Sequence, residues 1–180
     1  IADIHAYRPS KHSLSQSQIL LRNYTADEAR LPMREMVESL VLELLQIKAV
    51  TKCIHVHIGY AAEDVKSTGG SRTLAHYTDS FQELCPAVLA LFDKYKRPHE
   101  LIRRIAVSFE ELVNKAAVPT EMDLFSNALT DTAEQEEHIQ KTMLNIKGRF
   151  GKNAILRASS LQEEGTMQFR NTLVGGHNGE

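Results

Sequence analysis

The segment Thr51–Tyr60 limits the possible folds of this chain more than any other. Ile54, Val56 and Ile58 alternate with Cys53, His55 and His57, the two-residue period of a strand whose successive side chains point to opposite faces. The apolar face needs a covering layer, and the other face is left for water or a partner. A second run, Leu101–Glu110, alternates Ile105, Val107 and Phe109 with Arg104, Ala106 and Ser108. Two one-sided strands of this kind belong to a sheet with helices on one side only.

Two segments qualify as that covering layer. Thr25-Ala26-Asp27-Glu28 reads as a capping box, with Pro32 offering a second helix start. Behind it Met33, Met36, Val37, Leu40, Val41, Leu44 and Leu45 recur at three- and four-residue spacing. Ser80-Phe81-Gln82-Glu83 is a second box, followed by the stripe Leu84, Val88, Leu91, Phe92 and Tyr95. Ser13–Tyr24 is a polar strand whose register the pattern leaves open, because Ile19-Leu20-Leu21 interrupts the alternation. Ala61–Gly70 reads as a loop, with Gly69-Gly70 supplying permissive backbone for a hairpin return into a strand over Arg72–Thr78. The order strand, helix, strand, strand, helix, strand predicts an α+β, split βαβ (ferredoxin-like) fold over residues 13–112, with a four-stranded antiparallel sheet and two helices on one face.

Beyond residue 112 the character changes. Residues 113–128 read as a linker that holds an acidic-apolar island, Glu121–Phe125. Thr132–Phe150 predicts a third helix, with glutamates near its start, Lys147 and Arg149 near its end and Gly151 as a stop. Its stripe of Ile139, Met143, Ile146 and Phe150 is expected to dock, on the sheet domain or on a second copy. The last twenty residues are polar and glycine-containing, and only partial order is expected there.

Composition narrows function by exclusion. The chain has 180 residues, 42% of them hydrophobic, enough to bury a core without disulfide staples. No apolar run reaches the length of a membrane span. Cys53 and Cys85 lie in apolar stretches and suit buried thiols in a reducing cytoplasm. With 21 Lys and Arg against 23 Asp and Glu, any nucleic-acid surface must be a local face. No glycine-rich phosphate loop, CxxC or HExxH is present. Cys53, His55 and His57 share one strand face but lack a fourth ligand, and read as surface groups rather than zinc ligands. Arg103-Arg104 and Arg72-Thr73 are expected near one another on the uncovered face. Arginine with hydroxyls is equipment for holding phosphates without reading bases.

Several of these segments together resemble one family. Leu101-Ile102-Arg103-Arg104-Ile105-Ala106-Val107-Ser108-Phe109 resembles the last strand of the little-finger domain of Y-family translesion DNA polymerases, and Ser71-Arg72-Thr73-Leu74 resembles its third strand. Tyr7-Arg8-Pro9-Ser10-Lys11-His12-Ser13-Leu14-Ser15 is similar to the linker that enters that domain from the thumb. The tail, Arg170-Asn171 to Gly175-Gly176-His177, resembles the UmuC-type, UV-damage-repair (ImpB/MucB/SamB) branch of Gram-positive bacteria. The resemblance covers about residues 5–112 in order. It implies that residues 1–12 lead from a missing thumb, 13–112 form the little finger, and 129–180 are a helical extension and tail.

On that resemblance the chain is the non-catalytic, duplex-holding C-terminal part of a cytoplasmic lesion-bypass polymerase. The magnesium of such a polymerase is held by a palm absent here. Arg72, Thr73, Arg103 and Arg104 fall on family positions for phosphate contact. His55, His57 and Ser108 share the expected DNA face, and Ser108 replaces a basic residue found in some relatives. Glu121, Met122, Leu124 and Phe125 resemble the sliding-clamp-binding pentapeptide, with Glu121 for glutamine and Met122 for leucine. The expected partners are primer–template duplex, the bacterial sliding clamp and, through the third helix, another copy. The alternative is an RNA-binding or protein-interaction module of similar fold. RNA-binding versions stack bases on aromatic side chains of the central strands, whereas this face offers histidines and a cysteine.

Overall fold

The computed structural model describes residues 13–118, 127–174 and 177–178. β1 (Ser13–Tyr24), α1 (Ala26–Ile47), β2 (Ala49–Tyr60), β3 (Thr68–Thr78), α2 (Phe81–Tyr95) and β4 (Ile102–Glu110) follow in the expected order. The sheet runs β1-β4-β2-β3 with every pair antiparallel. β1 and β2 are therefore parallel to each other with β4 between them, and β3 and β4 are parallel with β2 between them. Each helix crosses over one intervening strand, so two split βαβ units interlock.

Ile54, Val56 and Ile58 of β2 and Ile105, Val107 and Phe109 of β4 are fully buried under the helices. α1 meets them with Met33, Met36, Val37, Leu40 and Leu44, and α2 with Leu84, Val88 and Phe92. α1 starts at the capping box: the Glu28 N–H donates to Thr25 Oγ1 at 3.3 Å, and the Thr25 N–H to Glu28 Oε2 at 2.7 Å. Pro32 lies inside the helix. α2 keeps only half of its box. Ser80 Oγ accepts from the Glu83 N–H, while the Glu83 carboxylate turns to His76 at 2.9 Å.

Gly69 and Gly70 do not form the hairpin return; both lie within β3. A Cβ on Gly69 would sit 2.3 Å from the Val56 carbonyl oxygen, and one on Gly70 would sit 2.4 Å from the Tyr95 ring. Close approach to the neighbouring strand on one side and to α2 on the other requires glycine at these two positions.

The expected linker starts as a tether. β5 (Val113–Asn114) pairs with Ala49–Val50, and Lys115 reaches Asp79 at 2.8 Å and Glu137 at 3.3 Å. Residues 119–126, which include the pentapeptide Glu121–Phe125, lie outside the described residues. α3 (Asn127–Phe150) docks on the chain's own helices, as expected, but through only half of the expected stripe. Met143 is buried and Ile146 half-buried, while Ile139 is 56% and Phe150 72% exposed. Polar groups share the contact: Glu136 accepts from Ser80 Oγ at 2.6 Å and from the Gln82 N–H at 3.0 Å, completing the cap of α2.

Most of the tail packs on the helices, because α1 carries two buried carboxylates on its outer side. Glu35 Oε2 accepts from the Thr166 N–H, Thr166 Oγ1 and the Met167 N–H at 2.9, 3.0 and 2.8 Å, and Met167 itself is buried. Glu38 pairs with Arg157 at 2.6 Å. Arg170 of α4 (Met167–Arg170) donates to Ser39 Oγ at 2.8 Å. β6 (Leu173–Val174) pairs antiparallel with β7 (His177–Asn178).

Two measurements test this architecture. Gly69→Ala is expected to lower stability by roughly 1–3 kcal/mol in urea melts. Gly148→Ala, on an α3 position with nothing within 4 Å of the added Cβ, is expected to raise it by up to about 1 kcal/mol. Glu35→Ala leaves buried amides of Thr166 and Met167 without an acceptor, a loss of about 1–3 kcal/mol. Amide exchange at those two residues should accelerate while that of β2 and β4 keeps its protection relative to global stability.

Candidate nucleic-acid interface

The uncovered face is defined by register. Directly paired residues of antiparallel strands share a side, so the pairings give four rows across the sheet. Ser13, Glu110, Cys53 and Thr73 form one, and Ser15, Ser108, His55 and Ser71 the next. Ser17, Ala106, His57 and Gly69 make the third, and Ile19, Arg104 and Gly59 the fourth. The rows carry small hydroxyl side chains around two imidazoles, with Arg104 and the exposed Ile19 at one end and Glu110 at the other.

A β-bulge holds the arginine pair. Ile102 pairs with Tyr60 and Arg104 with Gly59, so Arg103 has no partner on β2. Ile102 and Ile105 are both buried although they are three residues apart, while Arg103 and Arg104 are both exposed. A regular strand would send consecutive arginines to opposite faces; the extra residue puts both on the solvent side. Gly59 accommodates the pair, since a Cβ there would lie 3.1 Å from the Arg104 Cβ.

Arg72 does not join them. It pairs with Ile54, whose side chain points toward the helices, and so emerges on the opposite side of the sheet from Thr73. Thr73 lies on the open face but level with Cys53, six residues along β2 from Gly59, about 20 Å away at the rise of a strand. Arg72-Thr73 and Arg103-Arg104 are thus neither neighbours nor, for Arg72, on one face. Parity within an adjacent pair was available from sequence; the bulge that exempts Arg103-Arg104 from it was not. His55, His57 and Ser108 lie where expected. The serines Ser13, Ser15 and Ser17 were missed because the register of β1 was not legible, and Ser71 because β3 was expected to start only at Arg72.

Burial pushes the His57 imidazole below its usual value, and the positive charges of Arg104 and His55 push it the same way. His57 is therefore neutral near neutral pH and offers one N–H donor. Cys53 and Cys85 are free and buried, and burial raises both thiols. Among the described residues no group of three or more His, Cys, Asp or Glu side chains is placed to hold a metal ion. Cys53, His55 and His57 share a face without converging on one point. No helix among the described residues is long and apolar enough to cross a membrane.

Residues 11–124 match the impB/mucB/samB family C-terminal domain, a span that contains the whole four-stranded sheet and both of its helices. The chain belongs to this family. It is 29% identical over 169 residues, 92% of its length, to UvrX of Bacillus subtilis (strain 168), a protein named for UV-damage repair. It is 30% identical over 125 residues, 69% of its length, to DNA polymerase IV of Bacillus velezensis. The chain spans 38% of the first relative and 29% of the second. Among solved structures, the little finger domain of PolIV, from a complex with the beta-clamp processivity factor, aligns with 62% of this chain and 99% of that chain at 11% identity and a TM-score of 0.45. An insertion ternary complex of Dbh DNA polymerase aligns with 61% of this chain and 33% of that chain at 14% identity and a TM-score of 0.40.

The electrostatics of the face are open to direct titration. The His57 ring is expected to titrate by NMR below the ordinary 6.5, and Arg104→Gln should move its midpoint upward. Because its folded value is depressed, its contribution to stability is complete above pH 6.5 and is lost as pH falls toward the folded midpoint. A phosphate backbone lying on the face would raise the same midpoint, so adding duplex DNA should shift it up at low salt.

Proposed function

We propose that this chain is the duplex-holding, little-finger part of a Y-family, UmuC-type lesion-bypass DNA polymerase. The observation that carries the reading is the bulged arginine pair at the end of a shallow, hydroxyl-lined sheet face, in a chain of the impB/mucB/samB family. Guanidinium forks take phosphate oxygens in bidentate fashion, and serine and threonine hydroxyls add uncharged contacts along the backbone. Small side chains in the middle rows let a duplex approach closely. On this reading the arginines and hydroxyls contact the backbone, and binding is expected to be independent of sequence.

The polymerase reaction, template-directed nucleotide addition opposite lesions with magnesium, belongs on this reading to residues outside the chain. The part described here supplies grip and orientation. Clamp recruitment is assigned to Glu121, Met122, Leu124 and Phe125, just beyond the tethered segment at Lys115. Leu124 and Phe125 are its apolar anchors. The free, buried thiols suit a reducing cytoplasm. An RNA-binding module is the weaker reading, because no Phe, Tyr or Trp stands in the four open-face rows on β2 or β4.

Salt dependence tests the proposal. The full chain is expected to bind duplex DNA with an affinity that falls linearly on a log–log plot against salt. Arg103→Ala with Arg104→Ala should flatten the slope by about 1.8, at about 0.9 per phosphate neutralised. Arg72→Ala, on the other side of the sheet, should leave it unchanged. A double variant that kept the parental slope would remove the arginine pair from the interface.

A further inference from the structure

On the side of the molecule away from the open face, α1, α2 and α3 enclose a cleft of about 680 Å³. This is within the range of ligand-binding pockets. Its floor is Phe81, Pro86 and Leu89 of α2, and its rim carries Ile139 of α3, an isoleucine left 56% exposed one turn before the buried Met143. Three guanidiniums face in, from Arg30, Arg34 and Arg157.

Two of the three are satisfied. Arg30 pairs with Asp93 and Arg157 with Glu38. Arg34 makes no ion pair or hydrogen bond with any described residue, and its Nε is buried without an acceptor. Its one polar contact is with the Phe81 ring, 5.7 Å from the guanidinium carbon, and Arg157 lies at 4.4 Å from the same ring. A buried, unpaired guanidinium donor is costly, and the cost is removed when an acceptor enters.

We propose that this cleft is a docking site for a peptide segment of another protein, in which one Asp or Glu side chain is flanked by apolar residues. The carboxylate pairs with Arg34, and the apolar neighbours fill the floor formed by Phe81 and Leu89 and cover Ile139. The pairing pattern selects this ligand. Arg30 is taken by Asp93 and Arg157 by Glu38, and Glu136 is held by hydrogen bonds from Ser80, Gln82 and Gln140, which leaves Arg34 as the guanidinium open to a carboxylate. A phosphate dianion or a nucleic-acid backbone would bring excess charge against Asp93 and Glu136. A chain-terminal carboxylate is ordinarily held by backbone N–H nests, and this wall is made of side chains. The cleft and the bulged arginines lie on opposite sides of the sheet, so the peptide and a duplex can be held together.

The test is selection of phage-displayed random peptides on the full chain, followed by fluorescence titration with the winning peptide made synthetically. Enrichment of sequences with one acidic residue beside aromatic or aliphatic ones is expected. Arg34→Gln should weaken the winner at least tenfold. Ile139→Glu, at an exposed position that leaves folding intact, should weaken it similarly by charge repulsion. Arg103→Ala with Arg104→Ala should leave peptide affinity unchanged, which separates this site from the DNA face. Failure to enrich acidic-apolar sequences would overturn the proposal. So would a winner that binds Arg34→Gln and Ile139→Glu with parental affinity, with thermal melts confirming that both are folded. A synthetic peptide of residues 119–126 that competes with the winner and itself needs Arg34 would assign the cleft to the chain's own segment and overturn the partner reading.

Discussion

The pairing of β4 with β2 decides what each side of this molecule can do. Once Val107 lies opposite Val56 and Ile105 opposite Ile58, every residue of both strands is assigned to the helix layer or to the open face. A slip of β4 by one residue would bury Arg104 and Ser108 and expose Ile105, Val107 and Phe109. The register is held by that penalty, which is large because both strands are central and both carry apolar residues at every helix-facing position. The bulge at Arg103 is tolerated at the end of the strand, beside Gly59, where the ladder is already close to finishing. The irregularity doubles the positive charge at one corner of the face without disturbing the core.

A second constraint acts on α1, which is covered on two sides. Its apolar stripe meets the sheet, and its outer side meets the tail through Glu35, Glu38 and Ser39. Buried carboxylates are stable only when hydrogen-bonded or paired. Glu35 meets that condition with two backbone amides and a hydroxyl from residues 166–167, and Glu38 with Arg157. The tail is therefore held by α1 rather than by an apolar stripe of its own. The same arrangement explains why α3 leaves Ile139 and Phe150 exposed: its contact is organised by Glu136 capping α2 and by Lys115 bridging Asp79 and Glu137.

These two layers leave distinct surfaces. The open sheet face is small-featured and polar, with positive charge at one corner and His57 held neutral by burial and Arg104. The helix side is grooved, part apolar and part arginine, and near charge balance. The first fits an extended polyanion and the second a compact ligand with one charge.

Much of this was legible in the residues alone. The alternation in Thr51–Tyr60 and Leu101–Glu110, the boxes at Thr25 and Ser80 and the two helical stripes each rest on interactions within a few residues of chain. Local periodicity is therefore enough to read them. β1 was not readable, because its helix-facing positions include Gln16 and Gln18, whose partners are Glu43 on α1 and Thr166 in the tail. Polar residues that are buried by a distant segment look like surface residues in a sequence. Glu35 and Glu38 are hidden for the same reason, and Gly69-Gly70 looked like a turn because the close approach of Val56 and Tyr95 is a tertiary fact. Sequence by itself determined the elements, their order and the existence of an uncovered face, all set by short-range pattern. Only the tertiary structure decided that Arg103 and Arg104 share that face while Arg72 does not, because a bulge and a pairing register depend on which strands meet.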